Sequence, residues 1–272
     1  MVFIISLTTT PPRINTFINT LPYFVKQLPK DCYKIIINIP NRYRRFNIKL
    51  QLTIESLKIL KKYNNKVEIN SLDFDYGAIT KYIGGLQFLK KNRLNYDIMI
   101  VDDDIQYNKQ YLINLSKKAP KGYVNSGSGF NIIDGRYIPD RFTDISYVEG
   151  FSGIFIPKNI MIKEIELFVE YYKCLIPKRD MSNLPQEVLL SCFMGDDFIL
   201  SEYYKNKLWS KNNWRSELFI HDYGLGEDAL QNNTIYGTNM GTYNFLLEHM
   251  DILRQWMNKL TLNSSIKSKH QD

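Results

Sequence analysis

The sequence predicts an open α/β fold with a mostly parallel sheet, and three observations lead to it. Short isoleucine-rich apolar runs recur through the first third of the chain, each bounded by polar, proline or glycine residues. Amphipathic segments of helical period lie between them. With 272 residues, 44% of them hydrophobic and 14% aromatic, the chain is long enough to bury a sizeable core around such a sheet.

Taken in order, strands are expected at Phe3–Leu7, Lys34–Ile39, Val67–Leu72 and Asp97–Val101. Helices are expected near Ile14–Gln27, Asn47–Tyr63 and Ile79–Lys91. In the second of these, Ile48, Leu52, Leu57 and Leu60 recur at roughly helical spacing, with Lys49, Lys58, Lys61 and Lys62 between them. Strand–helix–strand alternation implies right-handed crossovers, and ligands of open α/β sheets bind outside the carboxyl ends of the strands. From residue 119 to 157 the character changes. Gly122, Gly127, Gly129, Gly135, Gly150 and Gly153 are interleaved with β-like pieces at Tyr147–Glu149 and Ile154–Ile156, which reads as later strands with a small antiparallel extension. Asn159 to about Cys174, and Pro185 to about Asn206, are helical in pattern. With no internal repeat or linker, residues 1–260 read as one domain, followed by a polar tail over 261–272.

Charge is unevenly placed. The formal charge is +7, yet residues 1–98 hold 16 Lys+Arg against 6 Asp+Glu, and residues 99–272 hold 19 against 22. A basic first part suits a polyanionic or phosphorylated ligand, although Lys58, Lys61, Lys62, Lys90 and Lys91 equally suit solvated helix faces. Three dispersed cysteines (Cys32, Cys174, Cys192) form neither a disulfide framework nor a CxxC zinc site, so a reducing, cytoplasmic setting is expected. The N-terminal apolar run is too short for a membrane span and lacks a signal peptide's charged start, so no integral membrane segment is expected.

The sharpest motif is Asp97-Ile-Met-Ile-Val-Asp102-Asp103-Asp104. An apolar strand ends and three carboxylates follow at once, at the rim where such sheets bind ligands. In an extended segment residues 102 and 104 point to one side. Crowded carboxylates raise each other's proton affinity unless a cation intervenes, and oxygen ligands suit Mg²⁺ or Mn²⁺. An exposed acidic loop, or acidic decoration of a helix start, would give the same letters.

A strand ending in Asp-x-Asp within a basic α/β domain resembles the GT-A-fold glycosyltransferases, in particular family-2-like enzymes that use a nucleotide-sugar donor. Four further pieces carry the resemblance in the right order: Ile5-Ser-Leu-Thr8-Thr-Thr10-Pro-Pro-Arg13, Asp73-Phe-Asp75 through Lys81, Glu149-Gly-Phe-Ser-Gly153, and Met194-Gly195-Asp196-Asp197. The resemblance runs from residue 3 to about 205. It implies a GT-A, Rossmann-like mixed sheet flanked by helices, with residues 1–118 as the nucleotide-sugar-binding part and 119–260 as the acceptor and catalytic part.

By the same resemblance, Asp104 is the direct ligand of Mn²⁺ or Mg²⁺, and Asp102 touches the metal or the donor ribose. Asp103 orients its neighbours or faces away. A third metal ligand would come from the C-terminal part. Of the three histidines, His270 lies in the polar tail, His249 falls in the helical run Tyr243–Trp256, and His221 precedes a glycine loop and is favoured. Thr8, Thr10 and Arg13 would contact the nucleotide and phosphates, Asp75 the base or ribose, and Lys81 the diphosphate. Asp197, with Asp196 beside it, would take the acceptor hydroxyl's proton in an inverting transfer; the same pair also suits a helix cap. Gly195 and Gly153 would let the backbone approach a sugar. Trp209, with Trp214 and the tyrosines at 203, 204 and 223, would stack on the acceptor side, unless these rings are simply core.

The implied partners are a UDP- or GDP-sugar and a glycan, lipid-linked or protein acceptor. Sugar-1-phosphate nucleotidyltransferases share the sheet and acidic ligands but expect a GxGxR-type loop, where this chain has Thr-Thr-Thr-Pro-Pro-Arg. The GxxxxGK[ST] of a P-loop is absent. A catalytically degenerate GT-A-like binding protein and a basic nucleic-acid-binding module are the other readings. The second lacks any basic-aromatic motif beyond the dense spot at Arg42–Arg45, so no nucleic acid is expected.

Overall fold

The computed structural model of the protein describes residues 2–43, 48–117, 122–133, 136–139, 145–161, 165, 166, 169, 196–204 and 207–210. The elements follow one another as β1 (Phe3–Thr8), α1 (Ile14–Gln27), β2 (Cys32–Pro40), α2 (Ile54–Lys62), β3 (Val67–Leu72), a 3-10 turn (Gly77–Ile79), α3 (Thr80–Lys91), β4 (Asp97–Ile100) and α4 (Lys109–Lys117). Then come β5 (Val124–Ser126), β6 (Gly129–Ile133), β7 (Arg136–Pro139), β8 (Tyr147–Val148), a second 3-10 turn (Gly150–Ser152), β9 (Ile154–Ile156), α5 (Asp196–Tyr203) and β10 (Leu208–Ser210).

Among the described residues seven strands form one sheet in the order β10-β5-β9-β4-β1-β2-β3. Strands β4, β1, β2 and β3 run parallel, β9 runs antiparallel to both β4 and β5, and β10 is parallel to β5. The sheet is therefore the mixed, mostly parallel, Rossmann-like α/β arrangement expected. Strands β7, β6 and β8 make a separate three-stranded antiparallel sheet, the small extension read from the glycine-rich stretch. Among the described residues no helix is long and apolar enough to cross a membrane.

The strands are apolar on both faces because both faces are covered. Ile4 on β1 and Ile98 and Ile100 on β4 enter one core layer with α3, while Phe3, Ile5, Leu7, Met99 and Val101 enter the other with α1 and α4. Cys32 belongs to the second layer, and burial pushes its thiol up to about 12, so it behaves as an inert apolar residue.

Helix α3 sits unusually close to the sheet, and this closeness matters for the site. A Cβ at Gly84 would lie 2.3 Å from Asn38 Oδ1, and one at Gly85 would lie 2.6 Å from Ser6 Oγ. In the space so gained, Asn38 Nδ2 donates to Ser6 Oγ (2.8 Å) and to the Leu7 carbonyl (2.9 Å). Asn70 Nδ2 donates to Asn38 Oδ1 (2.9 Å) and the Gly84 carbonyl (3.0 Å), and Ser6 Oγ donates to the Lys81 carbonyl. Buried polar groups are tolerated when paired in this way. The network anchors the first turn of α3, and with it Lys81, to the ends of β1 and β2.

Two expectations shift. The helix expected from Asn47 begins only at Ile54, because Thr53 caps it: its side chain accepts the Ser56 amide hydrogen at 3.1 Å, while Tyr43 and Ile48 are bridged ahead of it. Helix α4 was not anticipated. The helix expected from Asn159 does not begin there, since residues 158–160 form a turn, but residues 165, 166 and 169 within that segment are helical; its residues 162–164, 167, 168 and 170–174, and residues 185–195, lie outside the described residues.

Candidate functional site

The chain leaves β1, moves to β2 and β3 on one side, and returns to place β4 on the other side of β1. Neighbouring parallel strands whose connections diverge leave a crevice at their carboxyl ends. Arg13 approaches from the β1 end and the acidic motif from the β4 end. The guanidinium pairs with Asp103 and with Asp104 (Nη2 to Oδ2, 3.1 Å). Arg13 is the residue before α1, where a cation opposes the helix dipole, so two carboxylates opposite it offset that cost. Burial and the nearby Asp102 push the Asp104 carboxyl up, against the pull of Arg13.

The expected sharing of one side by Asp102 and Asp104 gives way to a different division. The backbone turns at residues 103 and 104, so Asp103 and Asp104 share Arg13 while Asp102 faces another cation. That cation is Lys81, whose side chain is only 6% exposed. Its Nζ lies 2.6 Å from Asp102 Oδ1 and 2.9 Å from Asp196 Oδ2. Burial works against the ammonium, but Asp102, Asp196 and Asp197 outweigh it and hold its proton affinity well above the ordinary lysine value. Lys81 is thus a charged tether between the acidic motif and the start of α5.

Asp197 is fixed from the other side. Its Oδ2 accepts the Gly150 amide hydrogen at 2.8 Å, and a Cβ at Gly150 would lie 2.3 Å from its Oδ1. Ser201 Oγ donates to the Asp197 carbonyl (2.6 Å) and accepts from the Val148 amide (2.9 Å), docking α5 on β8. Burial and then Asp196 push the Asp197 carboxyl well above the usual carboxylate range.

A closing link comes from Tyr107, which sequence reasoning missed. Its hydroxyl accepts the Asp102 amide hydrogen (3.2 Å) and donates to the Phe151 carbonyl (2.8 Å), while Tyr111, stacked on it, donates to the Ser152 carbonyl. Contacts therefore run from Asp102 through Lys81 to Asp196, and from Asp197 through Gly150 and Phe151 back through Tyr107 to Asp102. Tyr107→Phe keeps the ring packing and removes the hydroxyl from both partners. The expected cost is about 1–3 kcal/mol in urea denaturation; an unchanged midpoint would show that the link is not needed.

The remaining expected site residues fall as follows. Thr8 Oγ1 donates to the Asn38 carbonyl at 2.9 Å. Thr10 gives its carbonyl to the amides of Arg13 and Ile14. The Oγ1 atoms of Thr10 and its neighbour Thr9, and Asp103 Oδ2, are buried with no hydrogen-bond partner among the described residues. Asp75 is buried beside Tyr43, and its Oδ1 accepts the Gly77 amide hydrogen at 2.9 Å, shaping the turn before α3. Gly153 has φ +81°, and a Cβ there would meet Leu115 at 2.8 Å, so glycine closes this turn for steric reasons. Trp209 lies on β10 opposite Asn125. Gly195, Trp214, His221, Tyr223, His249 and His270 lie outside the described residues. Among the described residues no three His, Cys, Asp or Glu side chains converge as a metal-binding group.

Fold and site together define a Rossmann-like α/β protein with a densely charged site at the switch point of its sheet. No protein-family model matches the sequence, and no curated protein does. Among solved structures the chain is similar to TarS 1-349 of S. aureus in complex with UDP (15% identity, TM-score 0.38, covering 78% of this chain and 58% of that one). It is also similar to the galactosyltransferase LgtC in complex with donor and acceptor sugar analogues (9% identity, TM-score 0.37, 77% and 73%). A third is 4-diphosphocytidyl-2C-methyl-D-erythritol synthase from Anaerococcus prevotii (14% identity, TM-score 0.41, 92% and 97%).

Proposed function

We propose that the protein is a metal-dependent glycosyltransferase that moves one sugar from a nucleotide-diphosphate donor to a hydroxyl acceptor with inversion. The observation that carries this reading is the gathering of three carboxylates at the end of β4, with Asp103 Oδ2 buried and without a hydrogen-bond partner among the described residues and with Asp103 and Asp104 both drawn to the one guanidinium of Arg13. A divalent cation would add positive charge to this acidic group, whose Asp104 carboxyl is pushed up by burial and by Asp102. Asp104 and Asp102, with His221, would hold Mn²⁺ or Mg²⁺, which when bound neutralises charge on the leaving diphosphate.

The chain's own residues supply the rest. Asp197, held by Gly150 and with raised proton affinity, accepts the acceptor hydroxyl's proton as that oxygen forms its bond to the anomeric carbon. The bond from that carbon to the diphosphate oxygen breaks on the opposite face. Arg13, with Thr8, Thr10, Asp75 and Asp103, borders the donor, and Thr10 brings to it a hydroxyl that has no partner among the described residues. Lys81, engaged by two carboxylates, serves the donor site through Asp102. Gly153 and Trp209 are assigned to the acceptor side.

The test is thermal shift with UDP and with GDP, each with and without MnCl₂, followed by a screen of nucleotide sugars for hydrolysis. Ligand at one hundred times its Kd stabilises by about 2.7 kcal/mol, a rise of roughly 5–10 °C for a chain this size. Asp104→Ala should lose the Mn²⁺-dependent rise and all hydrolysis while its ligand-free midpoint stays close to that of the parent. A Mn²⁺-dependent rise that survives the substitution would remove Asp104 from the metal site. Release of pyrophosphate in place of a nucleoside diphosphate would move the reaction to nucleotidyl transfer.

A further inference from the structure

Residues 42–66 hold eight Lys+Arg and one Glu, a balance of +7 that equals the net charge of the whole chain. The rest of the chain keeps 27 of the 35 Lys+Arg against 27 of the 28 Asp+Glu. The basic character therefore belongs to one segment, the connection from β2 to β3 that contains α2.

The same segment leaves large aliphatic side chains in water. Ile54 is 67% exposed, Leu57 51% and Ile48 47%, while Ser56 is buried and Ile59, Leu60 and Tyr63 pack toward the core. Residues 54, 57, 58 and 61 share one helical face, so Ile54 and Leu57 form its N-terminal half and the exposed Lys58 and Lys61 continue it. Lys49, Lys62 and Lys66 are exposed nearby in the chain. The helix is fastened to α1 from its other side: the Thr53 amide and the Ser56 hydroxyl both donate to Asn15 Oδ1, at 3.2 and 2.7 Å, and Asn15 lies two residues beyond Arg13.

We propose that this face of α2 docks on an anionic lipid bilayer, with the lysines on acidic headgroups and Ile54 and Leu57 entering the headgroup–acyl boundary. Aliphatic side chains flanked by lysines are the composition of an interfacial helix. A nucleic-acid surface would reward aromatic rings for stacking, and the exposed face of α2 offers none. Self-association through this face would set two +7 segments against each other. The inference stands independently of the reading of the site.

The test is co-sedimentation of the full chain with vesicles of phosphatidylcholine alone and of phosphatidylcholine mixed with phosphatidylglycerol. Binding is expected only to the mixed vesicles. Both Ile54→Glu with Leu57→Glu, and Lys58→Glu with Lys61→Glu, should weaken it at least about tenfold without changing the thermal midpoint, since all four side chains are exposed. Lack of binding to the mixed vesicles would overturn the proposal. So would full binding by the Ile54/Leu57 double variant. Release from vesicles by duplex DNA or RNA, with nucleic-acid binding unaffected in that variant, would assign the surface to nucleic acid instead.

Discussion

Replacing Lys81 by methionine should destabilise the protein by about 3–5 kcal/mol, lowering the thermal midpoint by roughly 10 °C. The substitution keeps most of the side-chain volume and removes the charge. Asp102 and Asp196 would then face each other's surroundings without their shared cation, and Asp196 is itself nearly as buried as Lys81. Breaking a buried ion pair from one side costs more than the pair contributes, because the surviving charge remains desolvated. Adding Asp196→Asn to the methionine variant should therefore recover part of the loss, which a double-mutant cycle reads directly. Calorimetric or urea unfolding checks the prediction. A lysine whose work is to contact a bound diphosphate would behave differently: its loss would weaken nucleotide binding and leave the ligand-free midpoint unchanged.

That contrast also shows how far the sequence could be read. The four parallel strands are legible because burial on both faces makes their apolar runs nearly continuous, and the acidic motif stands out because it interrupts one of them. Lys81 could be singled out as a cation misplaced at a helix start, but its partners could not, since Asp196 approaches only through the packing of α5 against the extension sheet. Tyr107 gave no signal, because a tyrosine in a chain with 19 of them reads as core until its hydroxyl is seen between two loops. The late start of α2 and the presence of α4 are both legible from their caps. Thr53 accepts from Ser56, and Asn108 Oδ1 accepts the Tyr111 amide hydrogen at 2.8 Å. Local chemistry was thus present in the letters. What was absent was any means of knowing which carboxylate a long-range contact would bring to which cation.

The second large effect concerns Asp197. Asp197→Asn should lower turnover by about two to four orders of magnitude and leave the donor's dissociation constant unchanged. The amide oxygen can still accept the Gly150 amide hydrogen, so the turn at Gly150–Gly153 keeps its anchor and the folded protein survives. What is lost is the ability to take a proton. The pH profile gives an independent check, with the sign fixed by the environment. Burial, reinforced by Asp196, raises the proton affinity of Asp197, so the acid limb of kcat/KM should lie above the ordinary carboxylate value of about 4, with activity present above it and falling as pH drops through it. Asp196→Asn removes the repulsion while Lys81, which pulls the other way, stays in place, and the limb should move to lower pH. A limb that stays put in Asp196→Asn, or turnover undiminished in Asp197→Asn, would place the base on another residue and leave Asp197 as the anchor of the glycine turn.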